Sequence, residues 1–242
     1  MAARGRPTSQ AATGDRPRFR DRPPEDYRNP EANPFVQSHR SFGPELLTAD
    51  DAWQSRGAWG ALFGREAPLH VEIGSGNGFF LAALGTQRPD INVLGIELRY
   101  KRTVLCGRKI REAGLQYAKI ARYHAAYLGD LFDPGSLSAL YVNHPDPWPK
   151  DRHEKHRLIA RWFLEDAVRL LQPGAVFRLK TDFLPHIEEA LASIDGLPLS
   201  VTGRSDDVNG RGVPWGADIE TNYQRKFAVR GLPVYALELT RG

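Results

Sequence analysis

Short apolar runs recur along this chain from residue 69 onward, and stretches with helical spacing separate them. The runs 69–73, 92–96, 118–123, 139–143, 175–180, 197–202 and 234–240 read as strands. Between them, 78–84, 101–113, 158–171, 186–193 and a shorter stretch near Tyr223 read as helices, with Pro173 and Gly174 ending the third. Because strand and helix alternate almost throughout, the pattern predicts an α/β fold: a doubly wound, seven-stranded, mostly parallel sheet covered on both faces. Too few residues precede the last run for a full crossover helix, so that strand is expected to insert antiparallel. In such sheets ligands bind beyond the carboxyl ends of the strands, where strand order reverses.

Residues 1–34 break the pattern. They are rich in Arg, Pro, Asp and Glu, with Phe19 and Tyr27 as their aromatics, and hold too little apolar surface to offset chain entropy. A disordered arm is expected there, followed by one domain over 35–242. Arg4, Arg6, Arg16, Arg18, Arg20 and Arg22 suit either a solvated tail or loose phosphate contacts.

Hydrophobic residues form 41% of the chain, enough for a sizeable core. No apolar run reaches the roughly 20 residues that cross a bilayer, and the first 20 residues lack the apolar centre of a secretion signal, so a cytoplasmic location is expected. The single cysteine, Cys106, has no internal disulfide partner and reads as a packing residue. A formal charge of only +4 means that a polyanion would be held by local clusters rather than by a uniformly basic surface. One such cluster runs from Arg99 to Arg111, with six cations and no acid; it could follow a nucleic-acid backbone or simply be an exposed helix face.

Two motifs carry chemistry. The first predicted strand runs into Glu72-Ile73-Gly74-Ser75-Gly76-Asn77-Gly78-Phe79, a glycine turn through which backbone amides can approach a nucleotide-like ligand before opening a helix. The glycines fall at 74, 76 and 78, whereas a dinucleotide fingerprint would need a small residue where Phe79 stands, which argues against NAD. Glu97 ends the second strand about 20 residues past this loop, where a carboxylate can accept both ribose hydroxyls of an adenosine.

The second motif, His144-Pro145-Asp146-Pro147-Trp148-Pro149-Lys150, follows the fourth predicted strand. Its three prolines stiffen the backbone and would present Asp146 and Trp148 in fixed positions. Lys150, Arg152, Lys155 and Arg157 then set four cations against two acids, a phosphate-binding loop or a solvated helix start. His153 and His156 have no cysteine or spaced carboxylate to complete a metal site, so no metal is expected. The stretch 203–218 is rich in Gly, Asp and Asn and long enough for a substrate loop.

The glycine loop with Glu72 and Glu97 resembles the first two motifs of class I S-adenosylmethionine methyltransferases. Pro145 to Lys155, Lys180-Thr181-Asp182 and Thr221-Asn222-Tyr223 extend this to the bacterial tRNA guanine-N7 methyltransferases, over roughly residues 68–240. The resemblance implies a Rossmann-like fold and methyl transfer from S-adenosylmethionine to N7 of a guanosine in tRNA, expected at position 46 of the variable loop.

It implies that Glu72, Gly74, Gly76, Gly78 and Glu97 bind cofactor and that Asp146 is the active-site acid. Lys150, Arg152, Trp148, Asp182, Thr221, Asn222, Tyr223 and Gln224 are implied substrate contacts. This chain departs from the family pattern at Ala125, where an acid is usual, at Gln224, where Glu is usual, and at His156, where Arg is usual. Asp182 could instead cap the following helix.

Guanine N7 carries a free lone pair, so Asp146 is read as orienting the base rather than removing a proton. Competing readings are an amino-group methyltransferase on adenine or a small molecule, and an RNA-binding protein without turnover. Monomer and homodimer are both compatible with the sequence.

Overall fold

The computed structural model describes residues 33–148 and 157–242. The polypeptide begins with α1 (Pro34–Arg40), β1 (Leu46–Leu47), α2 (Ala49–Gln54) and α3 (Trp59–Phe63). These short elements are held by local chemistry: the Asn33 side chain accepts the Phe35 N–H at 2.9 Å, and Thr48 with Asp51 closes a reciprocal capping box on α2. Of the arm expected over 1–34, only Asn33 and Pro34 are among the described residues, and they start α1.

The alternating part follows: β2 (Leu69–Ile73), α4 (Phe79–Gln87), β3 (Asn92–Glu97), α5 (Tyr100–Glu112), β4 (Ala118–Arg122), a 3-10 segment (Ala125–Asp130) and β5 (Leu137–Asn143). The chain continues through α6 (Arg161–Leu170), β6 (Leu171–Thr181), α7 (Pro185–Ser193), β7 (Leu199–Ser205), α8 (Val208–Arg211), α9 (Asn222–Val229) and β8 (Tyr235–Arg241).

The strands form one sheet in the order β1-β4-β3-β2-β5-β6-β8-β7, parallel throughout except for β8, which runs antiparallel to both of its neighbours. The expected doubly wound architecture and antiparallel last strand are therefore present. The sheet has eight strands rather than seven, because β1 adds an edge pairing of Leu46 with Ile120 and Leu47 with Ala121. Two residues carry no periodicity, so that strand is invisible to pattern reading.

Every residue of β2, β3 and β4 is buried, including the polar His70, Glu72, Asn92, Glu97, Lys119 and Arg122, as expected of strands covered on both faces. Neighbours in β3 serve different cores, as a period of two demands. Val93 belongs to the buried cluster that holds Leu81, Val104 and Ile110 of α4 and α5, whereas Leu94 belongs to the one that holds Phe163 and Leu164 of α6.

Several boundaries moved, and those around α6 and β6 have a clear cause. The third expected helix starts at Arg161 rather than 158, after an Ala160 N-cap. Its expected stop signal, Pro173-Gly174, lies inside β6, where pairing jumps from Leu137–Leu171 to Ala139–Val176. The intervening residues bulge, which accommodates a proline without a ladder donor.

Candidate active site

The chain leaves β2 to build β3 and β4 on one side, then returns to β5 on the other, so strand order reverses between β2 and β5. Two adjoining cavities open at the carboxyl ends of these strands, of about 800 and 360 Å³. Gly74, Arg99, Arg102, Asn143, His144 and Asp146 border both.

Gly74, Gly76 and Gly78 have φ of 72°, 54° and 79°, a left-handed run that turns the chain sharply between β2 and α4. The loop reaches Glu97, whose Oε2 accepts the Gly76 N–H at 3.1 Å. Its Oε1 accepts the Leu98 and Arg99 N–H groups at 2.9 Å each. Glu97 therefore sits at the amino end of α5 with its orientation set by three backbone donors, a favourable position for an anion. Gly95 permits this close packing, since a Cβ there would come within 2.4 Å of Leu81 and 2.5 Å of Ser75.

Glu72 is 2% exposed. Its Oε1 accepts from Asn143 Nδ2 at 3.0 Å, whereas Oε2 is buried without a hydrogen-bond partner. Burial pushes its carboxyl up to about 7, against the opposing pull of the Asn143 hydrogen bond. A buried acceptor left unmatched at the rim of a cavity suits a ligand that brings a cationic donor. Together Glu72, the glycine turn and the aligned Glu97 carboxylate fit a ligand with an amino group at one end and a ribose diol at the other.

Past β5, the turn bearing Asp146 begins at His144. The His144 N–H donates to the Lys180 carbonyl at 2.7 Å; Nδ1 lies 3.0 Å from Asp182 Oδ1 and Nε2 lies 2.9 Å from Thr221 Oγ1. Its ring stacks on Tyr223, with centroids 5.5 Å apart. Burial raises the Asp182 carboxyl, but the His144 hydrogen bond, a backbone hydrogen bond and nearby histidines outweigh it and hold the group below its ordinary value. Asp182 does not cap α7, whose N-cap is Leu184.

Lys180 is buried and donates to Asp218 Oδ1, the Ile219 carbonyl and Gln224 Oε1 at 2.9, 2.7 and 3.0 Å. Burial lowers its pKa while Asp218 opposes the fall. Gln224 Nε2 donates to Asp218 Oδ2 at 2.7 Å, closing a network that ties 218–224 to β6. Both ends of the Gln224 amide are thus used within the protein, and Gln224 does not border either large cavity.

Of the sequence-predicted residues, Glu72, Gly74, Gly76, Asn222 and Tyr223 line the larger cavity. Glu97 and Trp148 line the smaller, and Asp146 lines both. Thr221 reaches the larger cavity while its hydroxyl accepts the Gln224 N–H that starts α9. Lys150 and Arg152 lie outside the described residues. Ala125 borders the smaller cavity.

The cationic stretch of α5 divides. Arg99, Lys101 and Arg102 line the larger cavity, whereas Arg111 pairs with Glu45 at 2.7 Å and Lys109 lies over the Phe79 ring. Sequence reasoning assigned no role to Asn143, His144 or Lys226, which line these cavities; Asn143 directly precedes the proline motif and His144 opens it, a usable signal at a strand end.

Among the described residues no cluster of His, Cys, Asp and Glu could hold a metal ion, and no helix is long and apolar enough to cross a membrane.

An open sheet of this order, with a glycine turn after β2 and a carboxylate ending β3, is the class I methyltransferase fold. The solved structure of the 16S rRNA methyltransferase KamB matches it with a TM-score of 0.60 over 77% of this chain and 93% of that one, at 16% identity. An antibiotic-related methyltransferase matches at a TM-score of 0.54 and 13% identity, over 74% and 89% of the two chains. These are likenesses of fold.

The family described as "Putative methyltransferase" matches residues 66–237. The tRNA (guanine-N(7)-)-methyltransferase of Bacillus subtilis (strain 168) is 35% identical over 184 residues, 76% of this chain and 85% of the relative. Those of Bacillus velezensis and Limosilactobacillus reuteri are each 33% identical over 206 residues, 85% of this chain and 94% of theirs. The chain belongs to the tRNA (guanine-N(7)-)-methyltransferase family.

Proposed function

We propose that this protein transfers a methyl group from S-adenosylmethionine to N7 of a guanosine in tRNA, giving 7-methylguanosine, with guanosine 46 of the variable loop as its target and the cytoplasm as its site of action. The observation that carries the reading is the meeting of a ligand-binding half, Glu72 with the glycine turn and Glu97, and a substrate half, Asp146 with Thr221 and Tyr223, around two adjoining cavities. The names of the relatives support tRNA and N7; position 46 rests on the family resemblance.

S-adenosylmethionine, when bound, supplies an electrophilic methyl on a sulfonium. Glu97 would hold the ribose hydroxyls with a carboxylate already aligned by its three backbone donors, so little ordering is left for binding to cost. Glu72 Oε2 would accept from the amino group, whose charge would keep the carboxylate ionised despite its burial. Asp146 would accept from guanine N1–H and the N2 amino group and so aim N7. With a lone pair already free on N7, alignment and exclusion of water do the work and no general base is needed. Arg99, Lys101, Arg102 and Lys226 at the larger cavity would take RNA phosphates.

The test is mass spectrometry of nucleosides from bulk tRNA incubated with the protein and methyl-labelled cofactor. Label in 7-methylguanosine is expected. Label confined to N6-methyladenosine would favour an amino-group methyltransferase, and cofactor binding without any labelled product would favour an RNA-binding role; either sinks the proposal.

A further inference from the structure

We infer that His144 is a positioning residue for methyl transfer, holding the turn that carries Asp146 against β6 and the amino end of α9; the inference rests on the function proposed above. Among the described residues, His144 and Trp148 are the non-glycine positions with positive φ, at 48° and 40°. They bracket Pro145-Asp146-Pro147, so the Asp146 turn begins and ends in a strained conformation, which persists where the surroundings over-determine it.

At His144 the surroundings do so. Its backbone N–H is tied to Lys180, its two ring nitrogens to Asp182 and Thr221, and its ring face to Tyr223, leaving the side chain 3% exposed.

With a neutral imidazole the hydrogen bonds along this row run in one direction. The ionised Asp182 carboxylate only accepts, so Nδ1 carries the hydrogen. In the neutral ring Nε2 is then the acceptor for the Thr221 O–H, while Thr221 Oγ1 accepts the Gln224 N–H at 3.0 Å. The row runs Gln224 N–H to Thr221 O–H to His144 to Asp182, linking α9, the Asp146 turn and the end of β6.

An acid, a histidine and a hydroxyl in a row also describe an activated nucleophile. Thr221 is 5% exposed and its oxygen caps α9, which makes the row a strut rather than a reaction centre. Asp146 lies two residues from the strut with prolines on either side, and a stiff backbone passes the orientation of residue 144 to residue 146.

The test compares wild-type protein with His144→Ala, His144→Asn and His144→Gly. It measures the single-turnover rate of 7-methylguanosine formation at saturating tRNA and cofactor, cofactor affinity by calorimetry, and the thermal midpoint. The Ala and Gly variants should react about ten- to a hundredfold more slowly, the scale of a small misplacement of reacting groups, with cofactor affinity within about twofold of wild type. Asparagine tolerates left-handed backbone and keeps a donor for Asp182, so its rate should fall between. Imidazole added to the Gly variant should recover several-fold of the lost rate at unchanged cofactor affinity.

A wild-type rate in His144→Ala would overturn the inference alone. So would a loss that follows unfolding and returns with neither asparagine nor imidazole. Absence of 7-methylguanosine with the wild-type protein would instead refute the proposed function, and this inference with it.

Discussion

Alanine at Gly78 should lower the melting temperature of this protein, whereas alanine at Gly74 should chiefly weaken its ligand. Both glycines are left-handed, with φ of 79° and 72°, so each substitution carries a similar backbone cost of about 1–2 kcal/mol. They differ in what the new methyl meets. At Gly78 it would lie 2.6 Å from Cys106 Sγ, 3.0 Å from Cys106 Cα and 3.1 Å from its Cβ. A thiol can swing aside, but Cα moves only if α5 shifts against α4, and overpacking of that kind adds about 1–3 kcal/mol.

At Gly74 no atom lies within 4 Å, because the position faces the two cavities. The Gly78 variant should therefore melt below the Gly74 variant by about 2–12 °C, at roughly 2–4 °C per kcal/mol for a chain of this size. The order reverses for cofactor affinity, where Gly74→Ala should lose more. Thermal unfolding without ligand and titration calorimetry with S-adenosylmethionine measure the two effects. If Gly78→Ala melts at or above Gly74→Ala, or if Gly74→Ala binds cofactor as tightly as wild type, the reasoning fails.

Glu97→Ala should weaken cofactor binding by about 1.5–3 kcal/mol, the worth of hydrogen bonds to a charged group, and leave RNA affinity nearly unchanged; unaltered calorimetric affinity would remove Glu97 from the site. Asp146→Asn should keep cofactor binding and slow methylation, because an amide offers one acceptor and a mismatched donor to the guanine edge; a rate equal to wild type would refute the orienting role. Glu72 titrates in the folded chain at about 7, up from an ordinary 4.5. The folded state therefore binds its proton more tightly, and the resulting stabilisation is full below pH 4.5 and lost as pH rises through about 7. Ligand-free Glu72→Gln should accordingly gain on wild type by on the order of 3 kcal/mol between pH 4.5 and 8; a stability difference independent of pH would count against a buried, unmatched carboxylate.

Much of the fold was legible because burial has a local signature. Strands covered on both faces are rich in apolar residues, so 69–73 matched β2, and β3, β4 and β5 were found within two residues. The antiparallel last strand followed from connection length alone. The glycine turn, Glu97 and Asp146 were legible because each sits at a strand end, where α/β sheets concentrate chemistry.

What the tertiary structure decided are features that local pattern does not encode. β1 exists because two residues happen to lie beside β4, not because of any period of their own. The family resemblance implies Gln224 as a substrate contact, yet it is drawn inward by Lys180, 44 positions away, because a buried ammonium must have its donors satisfied. His144 meets Thr221 across 77 residues and Asp182 across 38. Pairings at such separations depend on which strands the crossovers bring together; a sequence states the donor and the acceptor, and only the folded sheet brings them within 3 Å.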